Sequence, residues 1–133
     1  MSAVAERVAA GAAFLDEHDP DWWRADVERA IELPSLDLSS ERSCVLGQRC
    51  PLEVMRDYAE REWGDPDTAD ADDAYMAYAY KLTSAVSMQA VGLWAAEHGF
   101  ALDLSRGRPP ITAWADLTAE WKQVITERRA GTQ

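Results

Sequence analysis

Between Ala74 and Ala96 the chain carries a single charged residue, Lys81. A run this long and this free of charge either crosses a bilayer or sits inside a protein. Tyr75, Tyr78, Tyr80, Thr83, Ser84, Ser87 and Gln89 fall within it, which makes it too polar for lipid. Its residues recur at helical spacing: Tyr75, Tyr78, Leu82, Ala85 and Val86, Gln89, then Leu93. Met76, Tyr80, Val91 and Trp94 make the other sides apolar too. A helix apolar all round is the one its neighbours wrap. The expectation is a long central helix over residues 69–97, and no membrane span.

Helix patterns recur through the rest of the chain, and strand patterns are nearly absent. A first helix over residues 3–17 takes Ser2 as its N-cap and buries Val4, Val8, Ala12 and Leu15. Gly11 within it marks a close approach by another element. Asp19-Pro20 starts a second helix over residues 20–32, with Trp23, Val27 and Ala30 or Ile31 inward and at least one of Trp22 and Trp23 near the rim. Residues 33–48 are irregular, with Leu36 and Leu38 inward and a short helical turn at 43–47. Pro51 opens a third helix that Gly64 ends, its face marked by Leu52, Met55, Ala59 and Glu62 or Trp63. Gly99 closes the central helix and Phe100 folds back onto it. A last helix over residues 112–129 carries Trp114, Leu117, Trp121, Val124 and Ile125. The chain reads as one all-α domain spanning residues 1–133, a bundle of four to five helices around the long apolar one.

Charge narrows the functional classes. The net charge is -11 over 133 residues. Residues 1–73 hold 19 acids against 7 Lys or Arg, whereas residues 74–133 hold 5 against 6, so the negative potential belongs to the first half. Phosphate contacts need clustered cations, so direct binding to DNA, RNA or an anionic membrane is not expected. Two acidic groups stand out as candidate interaction residues: Asp16, Glu17, Asp19 and Asp21 between the first two helices, and Asp65, Asp67, Asp70, Asp72 and Asp73 before the central one. The bland reading of the second group is a set of solvated acids at a helix start. Arg106 and Arg108 form a basic pair on a loop.

No motif for catalysis or cofactor binding appears. Cys44 and Cys50 lack the spacing of a zinc site, and His18 and His98 lie far apart at helix ends. Counted from Asp65, calcium-loop positions six and twelve fall on Asp70 and Met76 rather than Gly and Glu. There is no Gly-rich phosphate loop and no GxSxG. The expectation is no enzyme, no metal and no cofactor. Glu6 and Arg7 interrupt the N-terminal apolar stretch, so it does not read as a secretory leader; the expected place is the cytoplasm, with free thiols.

Several segments carry a resemblance. Gly11-Ala12-Ala13-Phe14-Leu15-Asp16-Glu17, Pro20-Asp21-Trp22-Trp23, Leu36-Asp37-Leu38-Ser39-Ser40 and Cys44-Val45-Leu46-Gly47-Gln48 occur in order, followed later by His98-Gly99-Phe100 and Leu117-Thr118-Ala119-Glu120-Trp121. The pattern resembles a group of small hypothetical proteins of actinobacterial phages and actinobacteria, over the first fifty and roughly the last forty residues; residues 51–95 depart from it. The resemblance implies an origin in a phage, a prophage or an actinobacterial host, and no activity or catalytic residue.

The leading expectation is a small acidic non-enzymatic domain that binds a host or phage protein. A sharper version makes it an inhibitor of a host nucleic-acid-binding defence system, its carboxylates imitating phosphates on a basic partner. Two other readings are a homodimer or larger assembly through the long apolar helix, and a small-ligand binder with a pocket among Trp22, Trp23, Trp114 and Trp121.

Overall fold

A computed structural model describes residues 2–104 and 107–131. Arg106, one half of the expected basic pair, lies outside them. Six α-helices form: α1 Ala3–His18, α2 Val45–Arg49, α3 Leu52–Trp63, α4 Ala74–Thr83, α5 Met88–Glu97 and α6 Ala113–Ala130. Short 3₁₀ turns lie at Leu33–Ser35, Pro66–Thr68 and Ala71–Asp73, and no strand occurs among the described residues. The all-α reading holds. No described helix is long and apolar enough to cross a membrane.

Trp121 on α6 is the hub. Phe100 stacks on its ring at 5.2 Å and Trp22 meets it edge-on at 5.6 Å. Its indole N–H donates to the Gly99 carbonyl at 2.6 Å. Gly11 on α1 presses against this spot: a Cβ there would lie 2.0 Å from the His98 carbonyl oxygen and 2.9 Å from the Trp121 ring. The close approach read from Gly11 is therefore real. Leu117, Ile125, Val8 and Leu15 complete the buried seam between α1 and α6. Ser2 caps α1, Gly64 ends α3 in the left-handed conformation, and Gly99 adopts a φ of 71° so that Phe100 turns back inward.

The central long helix does not form, and its failure shapes the surface. The helix starts at Ala74 rather than near residue 69, because Asp65 and Asp70 cap two 3₁₀ turns instead. It stops at Thr83. Ser84 takes a left-handed conformation, φ 55° and ψ 28°, and its N–H still donates to the Tyr80 carbonyl. The Thr83 hydroxyl donates to the Ala79 carbonyl and accepts from the Ala85 N–H, and Ser87 then caps α5 by accepting from the Ala90 N–H at 3.1 Å. Hydroxyls at 83, 84 and 87 offer the backbone a break that the apolar pattern conceals. Burial all round is lost as well: Val86 is 97% and Leu93 62% exposed.

The expected second helix is also absent. Residues 19–32 form turns, with Arg29 at a φ of 59°. Arginines from elsewhere take the carbonyls a helix would have used. Arg49 donates to the Glu28 and Arg29 carbonyls, and Arg129 donates to those of Trp23 and Ile31. Trp22 and Ile31 are buried, while Trp23, expected inward, lies at the edge with Val27 and Ala30. Leu52 and Trp63 are each 62% exposed, so α3 buries only Met55 and Ala59 of its expected face. Trp114 sits on the surface of α6.

Candidate functional site

The acids singled out in the sequence are mostly engaged within the chain. Asp16 accepts from the Trp22 indole at 3.0 Å and pairs with Arg128. Partial burial works against its charge, but these contacts hold its carboxyl below the usual carboxylate range. Asp19 is locked to Arg49 at 2.7 Å and accepts from the Tyr78 hydroxyl at 2.8 Å. Asp67 pairs with Arg56 at 3.0 Å, and Arg42 reaches both Asp72 at 2.7 Å and Asp70 at 3.7 Å. The Arg42 hydrogen bond holds the Asp72 carboxyl low. Asp65 and Asp70 also cap the turns that follow them. Glu17 and Asp21 face solvent with no such role, and Asp73 is half-buried at the start of α4. The two acidic groups are therefore laced with arginine rather than set out as a free array.

The thiols are inert by position. Cys44 caps α2, its sulfur accepting from the Gly47 N–H at 3.2 Å, and Cys50 closes the same helix. Both are free and buried. Burial pushes Cys44 up to about 11 and Cys50 to about 12, so both are protonated at neutral pH and are poor nucleophiles. The histidines, distant in sequence, meet at one ring: Phe14 stacks on His18 at 4.2 Å and meets His98 edge-on at 5.5 Å. Among the described residues no group of three His, Cys, Asp or Glu is arranged to hold a metal ion.

Trp22 and Trp121 fill each other's space, and Trp23 lines an open depression of about 210 Å³ with Arg24, Asp26 and Arg129. A wider groove of about 720 Å³ runs between Arg29, Ile31, Arg42 and Gln48 and is open to solvent.

No protein-family model, curated protein or solved structure matches this chain.

What distinguishes the surface is an uncharged face that sequence reading placed in the core. The outer side of α5 exposes Met88, Gln89, Ala90, Gly92 and Leu93, with Met88 71% exposed, and Val86 projects from the corner before it. Alpha-helix α1 lies alongside: Phe14 meets Trp94 at 5.1 Å, ring edge to face. At about 100° per residue, Ala90 and Leu93 follow Trp94 round the outside of α5, and Ala10 and Ala13 follow Phe14 round α1. Ala10 and Ala13 are exposed. Neither residues 8–15 nor residues 82–96 contain an ionisable side chain. A continuous two-helix face thus carries no charge on a protein of net charge -11. The signal for it was present: Ser87 three residues before Ala90 is an N-cap pattern, and Gly92 and Gln89 are poor residues for a buried helix interior.

Proposed function

We propose that this chain is a non-enzymatic protein-interaction domain and that the α1–α5 face is its binding surface. The observation that carries the reading is the exposure of Val86, Met88 and Leu93 on an uncharged helix of an otherwise acidic molecule. Contiguous apolar surface rimmed by polar residues marks interaction sites, and charged residues are depleted at interface centres. The inert thiols and the internal pairing of the acids support the same reading. The phosphate-mimic version gains less support, because Asp67, Asp70 and Asp72 already face Arg56 and Arg42. A phage or prophage origin and a cytoplasmic setting, implied by the resemblance and by the missing leader pattern, belong to the same proposal.

The test is affinity capture from an actinobacterial extract with three baits: the native chain, Leu93→Lys, and the triple change Asp67→Asn, Asp70→Asn, Asp72→Asn. Leu93→Lys is expected to lose the captured partner and the triple variant to keep it. The reverse pattern would favour the acidic surface.

A further inference from the structure

Charge selects an occupant for the α1–α5 face. We infer that it pairs with a second copy of itself, α5 against α5, antiparallel across a two-fold axis. This rests on the reading of that face as the binding surface. Each copy carries a net charge of -11, so contact through the acidic first half sets like charges together. Contact through residues 82–96 does not.

The ends of α5 set the direction. Glu97 closes the helix, while Ser84 to Ser87 before it are uncharged. A helix N-terminus carries partial positive charge from its unpaired N–H groups. Antiparallel pairing places Glu97 of each copy against that end of the other, and the two helix dipoles oppose. Parallel pairing would stack Glu97 on Glu97. The two-fold axis makes the match reciprocal.

Gly92 lies near the middle of this contact. A Cβ there would meet nothing within 4 Å, so no element of the same chain uses the missing side chain. The notch beside Leu93 gives a neighbouring helix room to approach. A ten-residue helix is about 15 Å long, so the contact falls below the roughly 800 Å² per partner of a standard interface, and the dimer dissociates on dilution.

Sedimentation equilibrium tests this on the full chain, from roughly 5 to 500 μM, where an undersized interface dissociates, at low and high salt. The mass is expected to climb toward a dimer with concentration, and more readily at high salt, where the net repulsion is screened. Leu93→Lys is expected to weaken the dimer roughly tenfold or more, with the circular dichroism spectrum and urea midpoint of the native chain. Glu97→Lys makes the net charge less negative, yet is expected to weaken the dimer, because it sets a cation against a helix N-terminus. A monomer at every concentration, or a dimer indifferent to Leu93→Lys, overturns self-pairing; a tighter dimer with Glu97→Lys overturns the antiparallel arrangement. A strict monomer leaves the binding reading to the capture experiment, which fails separately if the partner is indifferent to Leu93→Lys.

Discussion

Arg49 holds Asp19 in a two-pronged grip, with Nε donating to Oδ2 at 3.0 Å and Nη2 donating to Oδ1 at 2.7 Å, and both side chains are almost wholly buried. The remaining Arg49 nitrogen donates to the Glu28 and Arg29 carbonyls, and Tyr78 from α4 donates to the same carboxylate. One ion pair thus ties the turn segment, α2 and α4 together. Removing one partner strands a buried charge, which costs about 3–5 kcal/mol. Asp19→Ala is therefore expected to lower the urea midpoint sharply, and Tyr78→Phe to cost about 1 kcal/mol through its lost hydrogen bond. An Asp19→Ala midpoint near that of the native chain would show that the pair does not hold these elements.

The glycines give opposite expectations in one kind of measurement. Gly11→Ala improves helix propensity by about 1 kcal/mol but drives a methyl to 2.0 Å from the His98 carbonyl, so it is expected to destabilise by about 1–3 kcal/mol net. Gly92→Ala meets nothing within 4 Å and is expected to stabilise the isolated monomer by about 0.5–1 kcal/mol. Thermal melts of the dilute proteins should move in opposite directions. A stabilised Gly11→Ala would mean that α1 does not approach α6 this closely.

Ser84 is held in a left-handed conformation that costs a non-glycine residue about 1–2 kcal/mol. Ser84→Gly is expected to raise the urea midpoint, and Ser84→Val to lower it. If Ser84→Val were neutral and helicity rose, residues 74–97 would form the single helix read from the sequence.

Alkaline pH should unfold the protein early. The unfolded thiols ionise around 9.0, whereas burial holds Cys44 at about 11 and Cys50 at about 12. Below pH 9 both states are protonated and the stability is fully present. Above it the unfolded state releases protons that the folded state keeps, so stability falls as pH rises toward 11–12. Burial of Tyr75, pushed up to about 12, and of Tyr78 adds to the loss at higher pH. Urea midpoints are expected to be level up to pH 9 and to drop beyond it. Replacing both cysteines with Ala should flatten the first part of the drop; an unchanged drop would assign it elsewhere.

Local capping and punctuation were legible in the residues. Ser2, Gly64 and Gly99 do what their types and positions imply, and the Leu117, Trp121, Ile125 stripe of α6 is buried as its spacing requires. The failures share a cause: the deciding partner was far away in sequence. Nothing local to residues 20–32 says that Arg49 and Arg129 will claim their carbonyls. Nothing local to Asp67 or Asp72 says that Arg56 and Arg42 will reach them. The apolar run at residues 74–96 was read as core because periodicity reports amphipathicity without reporting which side finds a neighbour. Its hydroxyls marked the break, and its outward half became the face that now carries the functional proposal.

The most direct measurement places a photoactivated crosslinking side chain at position 93 in one variant and at position 67 in another, each produced in the actinobacterial cytoplasm. The account predicts a discrete protein adduct from position 93 and none from position 67. An adduct from position 67 with none from position 93 would contradict it.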